Sequence, residues 1–128
     1  METFKKEERL CNKIAIESLF KKGKTSFYYP FSIKWLLNQS ISKSPAQILI
    51  VVSKRNFKKA VDRNRIKRLI REAYRKNKHI LYQMLKAKNI NVSFAFIYTE
   101  KEILNYKSIE DKIILTLQRL IKEINKSD

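Results

Sequence analysis

Residues 62–77 read as a helix with two incompatible faces, and that pattern limits what the rest of the chain can be. Ile66, Leu69, Ile70, Ala73 and Tyr74 recur at i, i+3, i+4, i+7 and i+8, so at about 100° per residue they make one apolar stripe. Asn64, Arg68, Arg71 and Arg75 fall on the opposite side, and Arg63, Arg65 and Lys67 flank the stripe near the helix start. The stripe needs other elements to bury it, while the charged side must stay outside. Asp62 is the expected N-cap, with Arg63 opening the first turn. Cations there oppose the helix macrodipole, which favours anions at an N-terminus. A bound phosphate removes the conflict, because the N–H groups, the dipole and the guanidinium groups all attract it.

The charge around this helix is dense. Between Ser53 and Lys78 there are twelve Lys/Arg and two acids, a net of +10 in 26 residues. Six of the eight arginines lie between Arg55 and Arg75, whereas the lysines are spread along the chain. Clustered arginine suits forked hydrogen bonding to phosphate or base edges. The whole chain carries +17 over 128 residues, a self-repelling load for which a polyanionic partner, nucleic acid first, is the simplest reason. At 44% hydrophobic with one Gly and two Pro, the sequence is a folded protein and not a disordered basic tail. Its length suits a single domain over residues 1–128. The absence of a long apolar run or a signal-peptide core predicts a cytoplasmic protein without a membrane. Cys11, the one cysteine, excludes an intrachain disulfide and reads as a small residue near a helix start.

The remaining elements follow from periodicity. Residues 1–11 are polar and basic and are expected to be mobile or loosely docked. A short helix is predicted over 13–22, capped by Asn12 and closed by Gly23. Residues 27–37 alternate as one half-buried strand, with Pro30 marking an edge or a bulge. A polar loop over 38–45 follows. Ile48 to Val52 are five consecutive apolar residues, which predicts a central strand covered on both faces over 47–53. Ile80, Leu81, Met84 and Leu85 allow the basic helix to continue beyond Asn77. Val92 to Tyr98 is a third strand. Ser108 is the expected cap of a final helix, with Glu110 and Asp111 in its first turn. The order α-β-β-α-β-α predicts an α+β sandwich.

Catalytic chemistry is missing. None of the twelve acids lies in a predicted strand or pairs at active-site spacing, so no carboxylate metal site is expected. His79, the one histidine, reads as a helix-end residue. Phe31, Trp35, Phe94 and Phe96 at strand period read as core. Phe20, Tyr28 and Lys34 are candidates for a groove, since single-stranded RNA is held by cationic walls and stacking rings. On these residues alone an RNA-binding structural protein and a DNA-binding regulator stay open.

The run Arg63-Asn64-Arg65-Ile66-Lys67-Arg68-Leu69-Ile70-Arg71, preceded by Val51-Val52-Ser53-Lys54-Arg55 and Ala60-Val61, closely resembles the signature of the bacterial ribonuclease P protein subunit family. Glu8-Arg9-Leu10 and the helix ending Leu19-Phe20-Lys21-Lys22-Gly23 resemble that family's N-terminal segment. The resemblance implies an α/β sandwich with a left-handed β-α-β crossover. It implies a protein component of an endoribonuclease that matures tRNA 5′ ends, with an RNA subunit carrying the Mg²⁺-dependent catalysis. The implied partners are that RNA and precursor tRNA, with no obligate protein partner. Carried over by position, Arg63, Asn64, Arg65, Lys67, Arg68 and Arg71 become the RNA-contacting run, and Lys54 and Arg55 the cationic end of a strand. Ile16, Phe20, Tyr28 and Lys34 become the cleft for the 5′ leader. Ile16 stands where many members have an aromatic, and Lys34 where some have Tyr. Leader contacts here are therefore expected to be more electrostatic. Mg²⁺ is expected at the RNA and not on protein carboxylates.

Overall fold

The computed structural model describes residues 8–38 and 44–127. The elements are α1 (Lys13–Lys22), β1 (Lys24–Tyr28), β2 (Phe31–Asn38), β3 (Ala46–Val52), α2 (Ala60–Asn77), α3 (His79–Lys88), β4 (Asn91–Tyr98) and α4 (Tyr106–Ser127). One four-stranded mixed sheet has the order β1-β2-β4-β3. The β1–β2 and β2–β4 pairs are antiparallel, and β3 runs parallel to β4. Helices α2 and α3 connect these two parallel neighbours, the unit for which the resemblance implies a left-handed crossover. The expected α+β class holds, with more elements than the sequence pattern separated.

The sheet has a thick side and a thin side. Phe31, Ile33 and Trp35 of β2 and Val92, Phe94, Phe96 and Tyr98 of β4 share one face with Ile48 and Val52 of β3. Ile66, Ile70, Ala73 and Tyr74 of α2 and the apolar stripes of α3 and α4 cover that face. On the other face Ala95 is wholly buried with Leu19 of α1 and Leu10, and Leu36, Leu49 and Ile97 pack around them. The strand covered on both faces is therefore β4. β3 lies at the sheet edge, against expectation, because its continuous apolar run has one buried face and one half-buried face.

Local chemistry explains several further departures. The single strand expected over 27–37 is a hairpin that reverses at Tyr29 and Pro30, joined by a cis peptide bond. The expected cap Asp62 lies inside the first turn of α2; the N-cap is Lys59, whose extended backbone (φ −82°, ψ 128°) ends the preceding loop. Asp62 still places a carboxylate near the positive end of the helix. The basic helix stops at Asn77, and α3 begins at His79 after a single intervening residue, Lys78. The final helix starts before Ser108, whose backbone N–H donates to Asn105 Oδ1 at 2.8 Å, so Asn105 takes the capping role. Glu110 therefore sits beyond the first turn, where it accepts from Tyr106 Oη and Asn77 Nδ2, each at 3.2 Å. Asn12 caps α1 as expected, accepting from the N–H groups of Ile14 and Ala15. Gly23 ends α1 without a left-handed backbone (φ −67°). A Cβ there would lie 2.3 Å from the Leu19 carbonyl oxygen, so close approach and not turn geometry requires glycine.

Residues 1–7 and 39–43 lie outside the described residues, and with them most of the expected N-terminal segment and polar loop. Residues 8–10, expected to be loose, are docked. Leu10 N–H donates to the Ile48 carbonyl at 2.8 Å, and Arg9 bridges to β3 at Ile48. The buried Glu8 carboxylate accepts from Lys78 Nζ and, at 3.0 Å, from Tyr82 Oη. Burial pushes the Tyr82 phenol up to about 12, keeping it a donor. Removing one member of a buried ion pair costs about 3–5 kcal/mol because the other charge is left unpaired. Glu8→Ala should therefore lower unfolding stability in urea by about 3 kcal/mol. A loss below about 1 kcal/mol, the range of exposed pairs, would show that water reaches this pair.

Candidate nucleic-acid interface

The buried stripe of α2 determines which of its cations reach solvent. Asn64, Arg65 and Arg68 are exposed, and Lys67 and Arg71 are half-buried on the flank that turns toward β3. Lys54 and Arg55, in the loop after β3, are exposed as well. Arg63 differs from its neighbours. Its Nη1 donates to the carbonyls of Phe57 at 2.8 Å and Lys58 at 3.0 Å, tying the loop before α2 to the helix. Arg75 is also engaged, with Nη2 2.6 Å from Glu72 Oε1 and Nε 3.2 Å from Oε2. Those hydrogen bonds hold the Glu72 carboxyl below its usual range. The pair is only partly shielded from solvent and is worth about 1 kcal/mol or less, but it confines the uncompensated charge to the first two-thirds of α2.

Two hollows extend this surface beyond the helix. The first, about 180 Å³, is lined by Arg9, Cys11, Lys67 and Arg71 over Ile48 to Ile50 of β3. Arg71 Nε is buried there without a hydrogen-bond partner. Burial first, then the nearby charges of Arg9 and Arg68, press the Arg71 guanidinium below its ordinary range. An anion in the hollow would reverse both effects. The second hollow is about 480 Å³ and is lined by Ser53, Arg55, Asn56 and Lys101. Arg9 and Lys101 were not among the sequence candidates. They come from the N-terminal segment and the β4–α4 loop, and only the parallel β3–β4 pairing brings the Lys101 loop beside the Arg55 loop.

The proposed cleft is partly assembled. Lys34 Nζ donates to the Phe20 carbonyl at 3.3 Å and lies 5.9 Å from the centre of the Phe20 ring. Ile16, half-buried, packs into the small cluster around Leu19 and Ala95. Tyr28 does not join them. It pairs with Phe31 across the hairpin, which puts it on the opposite face of the sheet. There Arg119 lies 5.3 Å from its ring, and burial with the neighbouring Glu123 raises its phenol above the ordinary value. The tight hairpin reverses the parity assumed from a single strand. Its consequence is that Phe27, paired with Ser32, sits on the α1 side in place of Tyr28.

Cys11 and His79 are exposed. Among the described residues no group of three or more His, Cys, Asp or Glu is placed to hold a metal ion. No helix among them is long and apolar enough to cross a membrane.

A family model described as "Ribonuclease P" matches residues 4–122. The chain is 34% identical over 122 residues to a protein of Porphyromonas gingivalis (strain ATCC 33277) named "Ribonuclease P protein component", covering 95% of this chain and 89% of that one. It is 33% identical over 122 residues to a protein of the same name from Borreliella burgdorferi (strain ZS7), covering 93% and 97%. Among solved structures, the RNase P protein from Thermotoga maritima superimposes with a TM-score of 0.70 at 25% identity, covering 88% of this chain and 96% of that one. The Staphylococcus aureus RNase P protein shares the fold with a TM-score of 0.67 at 21% identity, over 88% and 94%.

The contrast between Arg63 and its neighbours is measurable. Arg63→Ala should cost about 1–3 kcal/mol by removing charged hydrogen bonds to two carbonyls. Arg65→Ala and Arg68→Ala should change stability by no more than about 0.5 kcal/mol. Thermal unfolding of the three variants gives the comparison, and equal losses would refute the division.

Proposed function

This chain belongs to the ribonuclease P protein family, and we propose that it binds the enzyme's catalytic RNA through α2 and the 5′ leader of precursor tRNA through the α1 side of the sheet. The observation carrying this reading is the largely uncompensated run of exposed Asn64, Arg65 and Arg68 with half-buried Lys67 and Arg71, on the same side as exposed Lys54 and Arg55. Guanidinium groups on a rigid helix meet phosphates and 2′-hydroxyls of a folded RNA at fixed positions. Arg63 adds to the run mainly by holding the loop that presents Lys54 and Arg55. Phe20 and Lys34 offer a ring and an ammonium to a single strand on the other side of β3 and β4.

In this division of labour the RNA subunit hydrolyses the phosphodiester and the protein positions the substrate. Mg²⁺ supplies charge stabilisation at the RNA. The protein's part is to neutralise phosphates and hold the leader. Binding the leader beside the RNA raises substrate affinity and reduces the Mg²⁺ needed to compact the complex. The reading needs no protein partner and places the work in the cytoplasm.

Reconstitution with the cognate RNA subunit is the central measurement. At low Mg²⁺ the protein should increase precursor-tRNA cleavage over the RNA alone; no increase would overturn the reading. Contacts by Lys54, Arg55, Arg65, Lys67, Arg68 and Arg71 release counterions, so log affinity for the RNA subunit should fall against log salt with a slope of about −4 to −5. Arg65→Ala or Arg68→Ala should make that slope shallower by about one. Preferential binding of duplex DNA over precursor tRNA would instead favour a DNA-binding role.

A further inference from the structure

The thin side of the sheet is not covered evenly. Strand register arranges its residues in rows. One row runs Thr25, Lys34, Ala95, Leu49 and the next Phe27, Ser32, Ile97, Val51. Ala95 is wholly buried with Leu10 and Leu19, so the N-terminal layer sits over the first row. In the second row Phe27 is 61% exposed, and Ser32, Ile97 and Val51 are half-buried. This row, one exposed ring followed by three half-buried residues, is three strand spacings long, roughly 14 Å. It begins at the hairpin edge and ends at Val51, where the chain turns into Ser53, Lys54 and Arg55.

Phe27 is the diagonal neighbour of Lys34, a separation of roughly 7–8 Å between backbone positions. Lys34 in turn lies against the Phe20 ring. The Phe27 end of the strip thus has an ammonium and a second phenyl group on the neighbouring row, and two more cations lie at the far end. An apolar peptide would have to desolvate the Lys34 ammonium without supplying an opposite charge, which is costly. A duplex has its bases already stacked and offers no free ring face to Phe27. A single-stranded polyanion meets every part of the strip: phosphates at the cations and an unstacked base at the ring.

From this geometry we infer that Phe27 is a base-stacking platform for the RNA leader. The strip Phe27–Ser32–Ile97–Val51 carries that leader across the sheet toward Lys54 and Arg55. The inference rests on the leader-binding reading above and adds a residue and a direction to it. It also gives this chain a second aromatic contact on β1, where Ile16 on α1 supplies none.

The test uses the reconstituted RNA–protein enzyme and precursor tRNAs carrying 2-aminopurine at successive leader positions. Phe27→Ala should weaken binding of leader-bearing precursor about fivefold or more, the lower end of a base–aromatic stack. Affinity for the matched tRNA without a leader should be unchanged, and fluorescence quenching should be lost at one leader position. Phe27→Tyr should retain both the affinity and the quenching. An unchanged affinity in Phe27→Ala, or an equal loss for leaderless tRNA, overturns the inference. If Phe20→Ala and Lys34→Ala weaken leader binding while Phe27→Ala does not, the inference alone fails. If none of the three variants affects leader-dependent binding, the leader reading fails and this inference with it.

Discussion

Ile66, Ile70, Ala73 and Tyr74 have no solvent exposure, and their burial between the sheet and α4 sets the position of every charge on α2. A helix with so many cations repels itself, and among the described residues of α2 only Asp62 and Glu72 offer negative charge. The buried stripe offsets that repulsion, since each fully buried large aliphatic side chain contributes about 1.5–3 kcal/mol. It also fixes the helix in rotation. Arg65 and Arg68 face out, Lys67 and Arg71 turn toward β3, and Arg63 is held close enough to the preceding loop to satisfy two of its carbonyls. Folding energy and charge placement therefore come from opposite sides of one element.

The edge position of β3 has a second consequence. An edge strand with five consecutive apolar residues would be open to pairing with other chains. Here Arg9 and Leu10 bridge to it at Ile48, and the Glu8–Lys78 pair anchors that segment to the junction of α2 and α3. The N-terminal segment thus protects the edge and brings Arg9 to the hollow that holds Arg71. Stability and charge placement are linked again, this time through a short stretch with little periodicity of its own.

The α2 portion of the candidate interface was legible because its residues lie on one helix, where spacing along the chain is spacing in space. The contributions of Arg9 and Lys101 were not. They reach the same surface from loops far away in sequence. Tyr28 and Phe27 show the same limit within a few residues. A period-two pattern running through Pro30 reads equally well as one strand or as two strands folded back, but the two possibilities place Tyr28 on opposite faces.

By itself the sequence determined the α+β class, the faces of α2, the Asn12 cap, the core positions of Phe31, Trp35, Phe94 and Phe96 at strand period, and the concentration of arginine that points to a polyanion. All of these depend on side-chain periodicity or on contacts within a few residues. Only the tertiary structure decided that β4 and not β3 is covered on both faces, that residues 8–10 are docked, and that Phe27 replaces Tyr28 on the α1 side. The physical reason is that strand order and register are settled by which apolar faces can be buried together. That is a property of pairs of distant segments, and no single segment carries it.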